Sequence, residues 1–161
     1  MIILTKVFVI YDTKYGNTKI VAEKILEGIS EVEGFKTAIG YVKEINLEQV
    51  VGSDAIVLGA PNHMGRPSQT MKKFVNGLSE LDLKAKNVAV FGTYSGKQRA
   101  PDRAVKKLEK MAKKKLPKMD LILPGLSVRV NGIPGPIVEG ELTHCEDYGR
   151  KLANSLKHTS S

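Results

Sequence analysis

Hydrophobic and polar positions alternate between two rhythms along the chain. Short runs rich in β-branched residues fall at about 4–11, 36–42, 54–60, 87–93 and 120–130, each bounded by turn or polar residues. Val7 to Ile10, Ala55 to Leu58 and Val88 to Phe91 are apolar at nearly every position. Such runs predict strands covered on both faces, as in a parallel sheet. The intervening segments follow the helical period. Val21, Ile25, Gly28, Ile29 and Val32 share one stripe in 17–32. Pro67 is placed to open a helix carrying Met71, Phe74, Val75 and Leu78. In 101–116, Ala104, Val105, Leu108, Met111, Ala112 and Leu116 face inward and the lysines outward. Leu142, Cys145, Leu152 and Leu156 form the inner stripe of a last helix, and 46–51 reads as a short one. Gly52, Gly77 and Pro117 stand where helices are expected to stop.

The order βαβαβαβαβα predicts an α/β three-layer sandwich with right-handed crossovers and a five-stranded parallel sheet, for which we expect the order 2-1-3-4-5. No internal repeat, linker or second domain breaks the pattern. Residues 1–157 are expected to form one domain, with 158–161 a polar tail.

Composition changes this picture little and charge changes it more. The chain has 161 residues, 42% of them hydrophobic and 26% charged, which suits one globular domain. No apolar stretch is long enough to cross a bilayer, and the start shows no secretory cleavage pattern. The single Cys145 cannot form an internal disulfide, so the expected location is the cytoplasm. The formal net charge is +8, much of it in Lys106, Lys107, Lys110, Lys113, Lys114, Lys115 and Lys118. These lysines can be a solvated helix face or a site for a polyanion or acidic protein.

Three loops carry candidate chemistry. "YDTKYGNT" links the first strand to the first helix, where unpaired N–H groups and the positive end of the helix dipole converge. Thr13, Asn17 and Thr18 add short donors and Gly16 permits close backbone approach, which suits a phosphate. A turn with a helix cap uses the same residues. The third strand ends in "LGAPNHMGRPSQTMKKF" and the fourth in "VFGTYSGKQRA". In the order 2-1-3-4-5, strands 1, 3 and 4 are neighbours, so all three loops meet along one edge at the carboxyl ends of the strands, where ligands of such sheets bind. Pro61, Asn62, His63, Met64 and Gly65 would form one wall of a slot; Thr93, Tyr94, Ser95 and Gly96 would form the other. Apolar surface, an aromatic ring and many amides suit a flat heteroaromatic ligand.

"YDTKYGNTKIVAEKI", "DAIVLGAPNHMGRPSQTMKKF" and "VAVFGTYSG" resemble the flavodoxin-like superfamily over nearly the whole chain. The resemblance extends to short-chain flavodoxins, the flavodoxin domain of flavodiiron proteins and flavodoxin-like quinone reductases. It implies FMN, with the 5′-phosphate on Thr13, Lys14, Tyr15, Gly16, Asn17 and Thr18 and the isoalloxazine between 61–65 and 93–96. Tyr15 stands where the family often has a second hydroxyl, Lys14 adds a cation, and Tyr94 is the stacking candidate in a chain without Trp.

The implied function is electron transfer between redox proteins. A basic surface would match an acidic partner: ferredoxin-like, rubredoxin-like or a reductase. The alternative is an FMN-dependent NAD(P)H quinone or nitro-compound reductase, for which no nicotinamide-binding motif is evident. Nucleic acid is not supported, because the lysine helix lacks interleaved aromatic residues. Asp12 alone cannot make a Mg²⁺ site, and no His/Cys/Asp/Glu cluster suggests another metal. The slot walls lack acids, while Arg66, Lys97 and Arg99 are close in sequence. At an effective dielectric of about 20, a cation ~6 Å from an anionic reduced ring contributes on the order of 3 kcal/mol before screening. The second-electron potential is therefore expected to be less reducing than where acids surround the ring.

Overall fold

A computed structural model describes residues 3–96, 100–132 and 134–159. The predicted alternation is present. The strands are β1 (Thr5–Tyr11), β2 (Phe35–Tyr41), β3 (Ala55–His63), β4 (Arg66–Pro67), β5 (Asn87–Ser95), β6 (Asp120–Leu121) and β7 (Leu126–Val130). The helices are α1 (Asn17–Ser30), α2 (Glu48–Val51), α3 (Gln69–Leu78), α4 (Arg103–Lys115) and α5 (Glu141–Thr159).

The parallel sheet runs β2-β1-β3-β5-β6, with β7 also parallel to β5. This is the expected order 2-1-3-4-5, except that the fifth strand is divided. Asp120–Leu121 pairs with the start of β5 and Leu126–Val130 with its end. Pro124 supplies no N–H to continue a ladder. Gly125 sits so close to α4 that a Cβ there would lie 2.2 Å from Val105 Cγ1. The interruption therefore lets the chain pass under the helix.

Two apolar clusters cover the two sheet faces, as the unbroken apolar runs require. Phe8, Ile10, Ile56, Leu58 and Val90 pack with α3 and α4 on one side. Val7, Val9, Val57, Ala89 and Phe91 pack with α1 and α5 on the other. Successive strand residues thus alternate between clusters.

Several helix boundaries differ from expectation. Pro67 belongs to the short β4, and Ser68 caps α3 by accepting a hydrogen bond from the Met71 N–H at 3.3 Å. The hydroxyl satisfies a first-turn donor that proline could not. Gly77 lies inside α3, which continues through Leu78 because Leu78 completes the buried stripe. The last helix reaches Thr159, into the stretch expected as a tail.

Cys145 is fully buried in the α5 face. Burial, with Glu141 and Glu146 adding to it, pushes its thiol from the ordinary 9.0 up to about 12. The native thiol should be unreactive toward thiol reagents at pH 8. With the folded pKa above the unfolded one, the thiol's contribution is complete below pH 9 and disappears as pH rises toward 12. Chemical denaturation across that window should show a steeper loss in the native chain than in Cys145→Ala; equal slopes would refute the assignment.

Candidate functional site

The parallel ladder delivers the carboxyl ends of β1, β3, β5 and β7 to one edge of the sheet. There a cleft of about 610 Å³, open to solvent, is lined by Thr13, Lys14, Tyr15, Asn17, Thr18, Pro61, Asn62, His63, Thr93, Tyr94 and Ser95. The three predicted loops therefore meet.

The first loop is organised from its own residues. Gly16 adopts φ 93°, a left-handed conformation, and stands at the N-cap of α1. Its N–H donates to Thr13 Oγ1 at 2.9 Å, closing the turn. No side chain caps α1; the first helical hydrogen bond is from Ile20 N–H to the Gly16 carbonyl, at 3.2 Å. Its N-cap residue is a glycine with no side chain to offer, and the polar side chains beside it bond elsewhere. Thr18, buried, shares a hydrogen bond with Thr93 Oγ1 at 2.9 Å. Asn17 Nδ2 donates to the Pro134 carbonyl at 2.5 Å. The first turn is thus left without a side-chain cap at Asn17 and Thr18, which line the cleft, and such N–H groups are the donor set an anion uses at a helix N-terminus.

The second wall is a strand end followed by a hairpin. β3 runs on to His63 and returns as β4, pairing Asn62 with Pro67 and His63 with Arg66. Met64 and Gly65 span the turn with φ 54° and 81°, both positive, as a two-residue type I′ turn requires. The Gly65 N–H donates to Asn62 Oδ1 at 2.6 Å. Pro61, Asn62 and His63 line the cleft, whereas Met64 is 98% exposed and Gly65 lies against Arg103. The third wall is also strand: β5 extends through Ser95, so Thr93, Tyr94 and Ser95 project from a fixed ladder.

Gly16, Met64, Gly65 and Gly96 are thus expected contacts that do not line the cleft. Gly16 acts through backbone shape, and the hairpin turn carries Met64 and Gly65 beyond the cleft wall. Lys14 lines it, with its ammonium 5.4 Å from the Tyr15 ring centroid. Arg66 does not line it, and Lys97 and Arg99 lie outside the described residues. No lining residue among the described residues is acidic.

The sequence reading missed a fourth contributor. Val130, at the end of β7, and Gly132 and Pro134, in the loop after it, line the cleft, and the Asn17–Pro134 bond ties that loop to the first. "NGIPGP", directly after a strand, was the available signal.

The fold and this crevice at the carboxyl ends of the strands define the flavodoxin-like class of α/β proteins. The chain belongs to the flavodoxin domain family, whose sequence model matches residues 8–129. It is 44% identical to a flavodoxin of Aquifex aeolicus over 69 residues, 43% of this chain and 37% of that one. It is 26% identical to the type A flavoprotein fprA of Rhodobacter capsulatus over 152 residues, 92% of this chain and 32% of that protein. The chain thus spans well under two thirds of the length of either relative. In fold it is similar to a flavodoxin from the domain Archaea, with TM-score 0.78 at 24% identity, covering 96% of this chain and 100% of that one.

Proposed function

We propose that this chain binds FMN and transfers electrons between redox proteins. The observation that carries the reading is the convergence of three loops on one cleft, without an acid among its described lining residues, at a helix N-terminus with no side-chain cap. Thr13, Lys14, Tyr15, Gly16, Asn17 and Thr18 would hold the phosphate. Backbone N–H groups of the first helical turn supply donors, and the Thr18–Thr93 pair has two O–H groups but needs only one between them. Pro61, Asn62 and His63 would lie along one side of the ring and Thr93, Tyr94 and Ser95 along the other, with Met64, Gly65 and Gly96 shaping the rims. Bound FMN supplies one- and two-electron redox chemistry. The protein's part is to orient the ring, limit water access and offer backbone partners to the ring edge.

The partners fitting a +8 chain are acidic: ferredoxin-like, rubredoxin-like or a reductase. Among the described residues no helix is long and apolar enough to cross a membrane. The buried thiol fits a cytoplasmic protein.

Purified protein should be yellow and release FMN, not FAD, on denaturation. It should exchange single electrons with an acidic iron–sulfur protein faster than it oxidises NAD(P)H with a quinone. A colourless protein that ignores added FMN would refute the cofactor, and efficient NAD(P)H-dependent quinone turnover would refute the carrier assignment.

A further inference from the structure

The hairpin β3–β4 has two sides. Asn62 and His63 face the cleft, while Gly65 packs against α4, where a Cβ would lie 3.1 Å from Arg103 Cδ. Arg66, paired across the hairpin from His63, is exposed. Lys72 stands one turn into α3 and Lys107 one turn beyond Arg103 on α4. α4 packs against both β4 and α3, which brings these four cations to one side of the hairpin; partial desolvation and then the charges of Arg103, Arg66 and Lys72 push the Lys107 ammonium below its ordinary value.

No ion pair among the described residues involves any of the four. By contrast, neighbouring Lys106 pairs with Asp102 at 3.1 Å. A cluster of like charges with no internal carboxylate repels itself and offers nothing to the fold. Met64, at the hairpin tip, is the most exposed large apolar side chain among the described residues. A carboxylate-bearing partner would relieve this repulsion, and Met64 stands at the border of the same surface.

We infer that Arg66, Lys72, Arg103 and Lys107, with Met64 at their border, form the docking face for an acidic iron–sulfur redox protein. Complementary charge would bring that partner against the hairpin whose other side borders the cleft. With FMN held in the cleft as proposed, the partner's reduced cluster would be the one-electron donor and the flavin the acceptor, with no bond made or broken between the partners. The identity of the transferred charge rests on the FMN reading above; the location of the docking face does not.

The test uses FMN-loaded protein and an acidic [4Fe–4S] ferredoxin as probe. Lys72→Glu with Lys107→Glu should lower the second-order electron-transfer rate at low salt about tenfold or more and flatten its dependence on ionic strength. The calorimetric Kd for the oxidised ferredoxin should weaken by a similar factor, while FMN affinity stays within about twofold. Lys107→Gln should give a smaller loss in the same direction. Lys36→Glu with Lys43→Glu, exposed residues at β2 and just beyond it, changes net charge equally and should alter both readings less than about twofold. Equal losses in the two pairs would reduce the effect to net charge and overturn the proposal, as would no loss in either. Loss of DNA-duplex binding in the α3/α4 pair, with ferredoxin unaffected, would overturn it in favour of nucleic acid. Calorimetry reads docking with or without flavin, so failure to bind FMN would remove the carrier assignment while the docking result still decides this one.

Discussion

Gly28→Ala should lower the stability of the protein by roughly 3 kcal/mol, even though alanine is the better helix former. Gly28 lies in α1 where it crosses α5. A Cβ there would sit 2.1 Å from the backbone oxygen of Glu146 and 3.1 Å from the Arg150 nitrogen. Gly149 makes the reciprocal approach, its Cβ position being 2.1 Å from the Ile25 oxygen. Backbone atoms cannot rotate out of the way as a side chain can, so the helices must part along a face that buries Ile25, Ile29, Cys145 and Leu152. The propensity gain of about 1 kcal/mol is outweighed. For a chain of this size the loss corresponds to a fall in Tm of about 6–12 °C. Gly77→Ala is the internal control. It is the same change within a helix, but the nearest atom is the flexible Leu47 Cδ1 at 3.4 Å, so stability should rise by up to ~1 kcal/mol. Denaturant titrations moving both variants in the same direction would refute the close-packing argument.

Riboflavin should bind at least ~100-fold more weakly than FMN, because the donors of the first loop have no other partner in the ligand. Thr18→Val should then weaken FMN by about 10–100-fold, the range of one charge-assisted hydrogen bond, and riboflavin by less than about threefold. The ratio between ligands isolates the phosphate contact from general damage, since loss of fold would affect both alike. It also separates it from the cost of stranding Thr93, which is buried and shares its hydrogen bond with Thr18. Equal affinity for the two ligands would exclude the first loop as a phosphate site. An unchanged ratio in Thr18→Val would remove Thr18 from it.

The contrast between Gly28 and Gly77 marks how far local reading reaches. Both glycines fall in helical stretches, and sequence placed one on a stripe and the other at a helix end. Neither placement could reveal that one faces a carbonyl oxygen and the other a methyl group. The strand ends behave similarly. Residues 61–63 and 94–95 read as loop because proline, asparagine and serine are poor strand formers, yet β3 runs on through His63 and β5 through Ser95. Pairing overrode propensity there, and it turned two expected loops into fixed walls.

The chain by itself determined the alternation of strands and helices, the sheet order and the three segments that gather at its carboxyl edge. Burial is written into period and composition, and short connections leave few topologies open. Only the tertiary structure decided that Asn17 reaches across 117 residues to the Pro134 carbonyl, that Thr18 meets Thr93 across 75, and that Met64 stands outside the cleft. Contacts of such separation leave no periodic trace in sequence, because they depend on where the packed sheet carries each loop rather than on neighbouring residues.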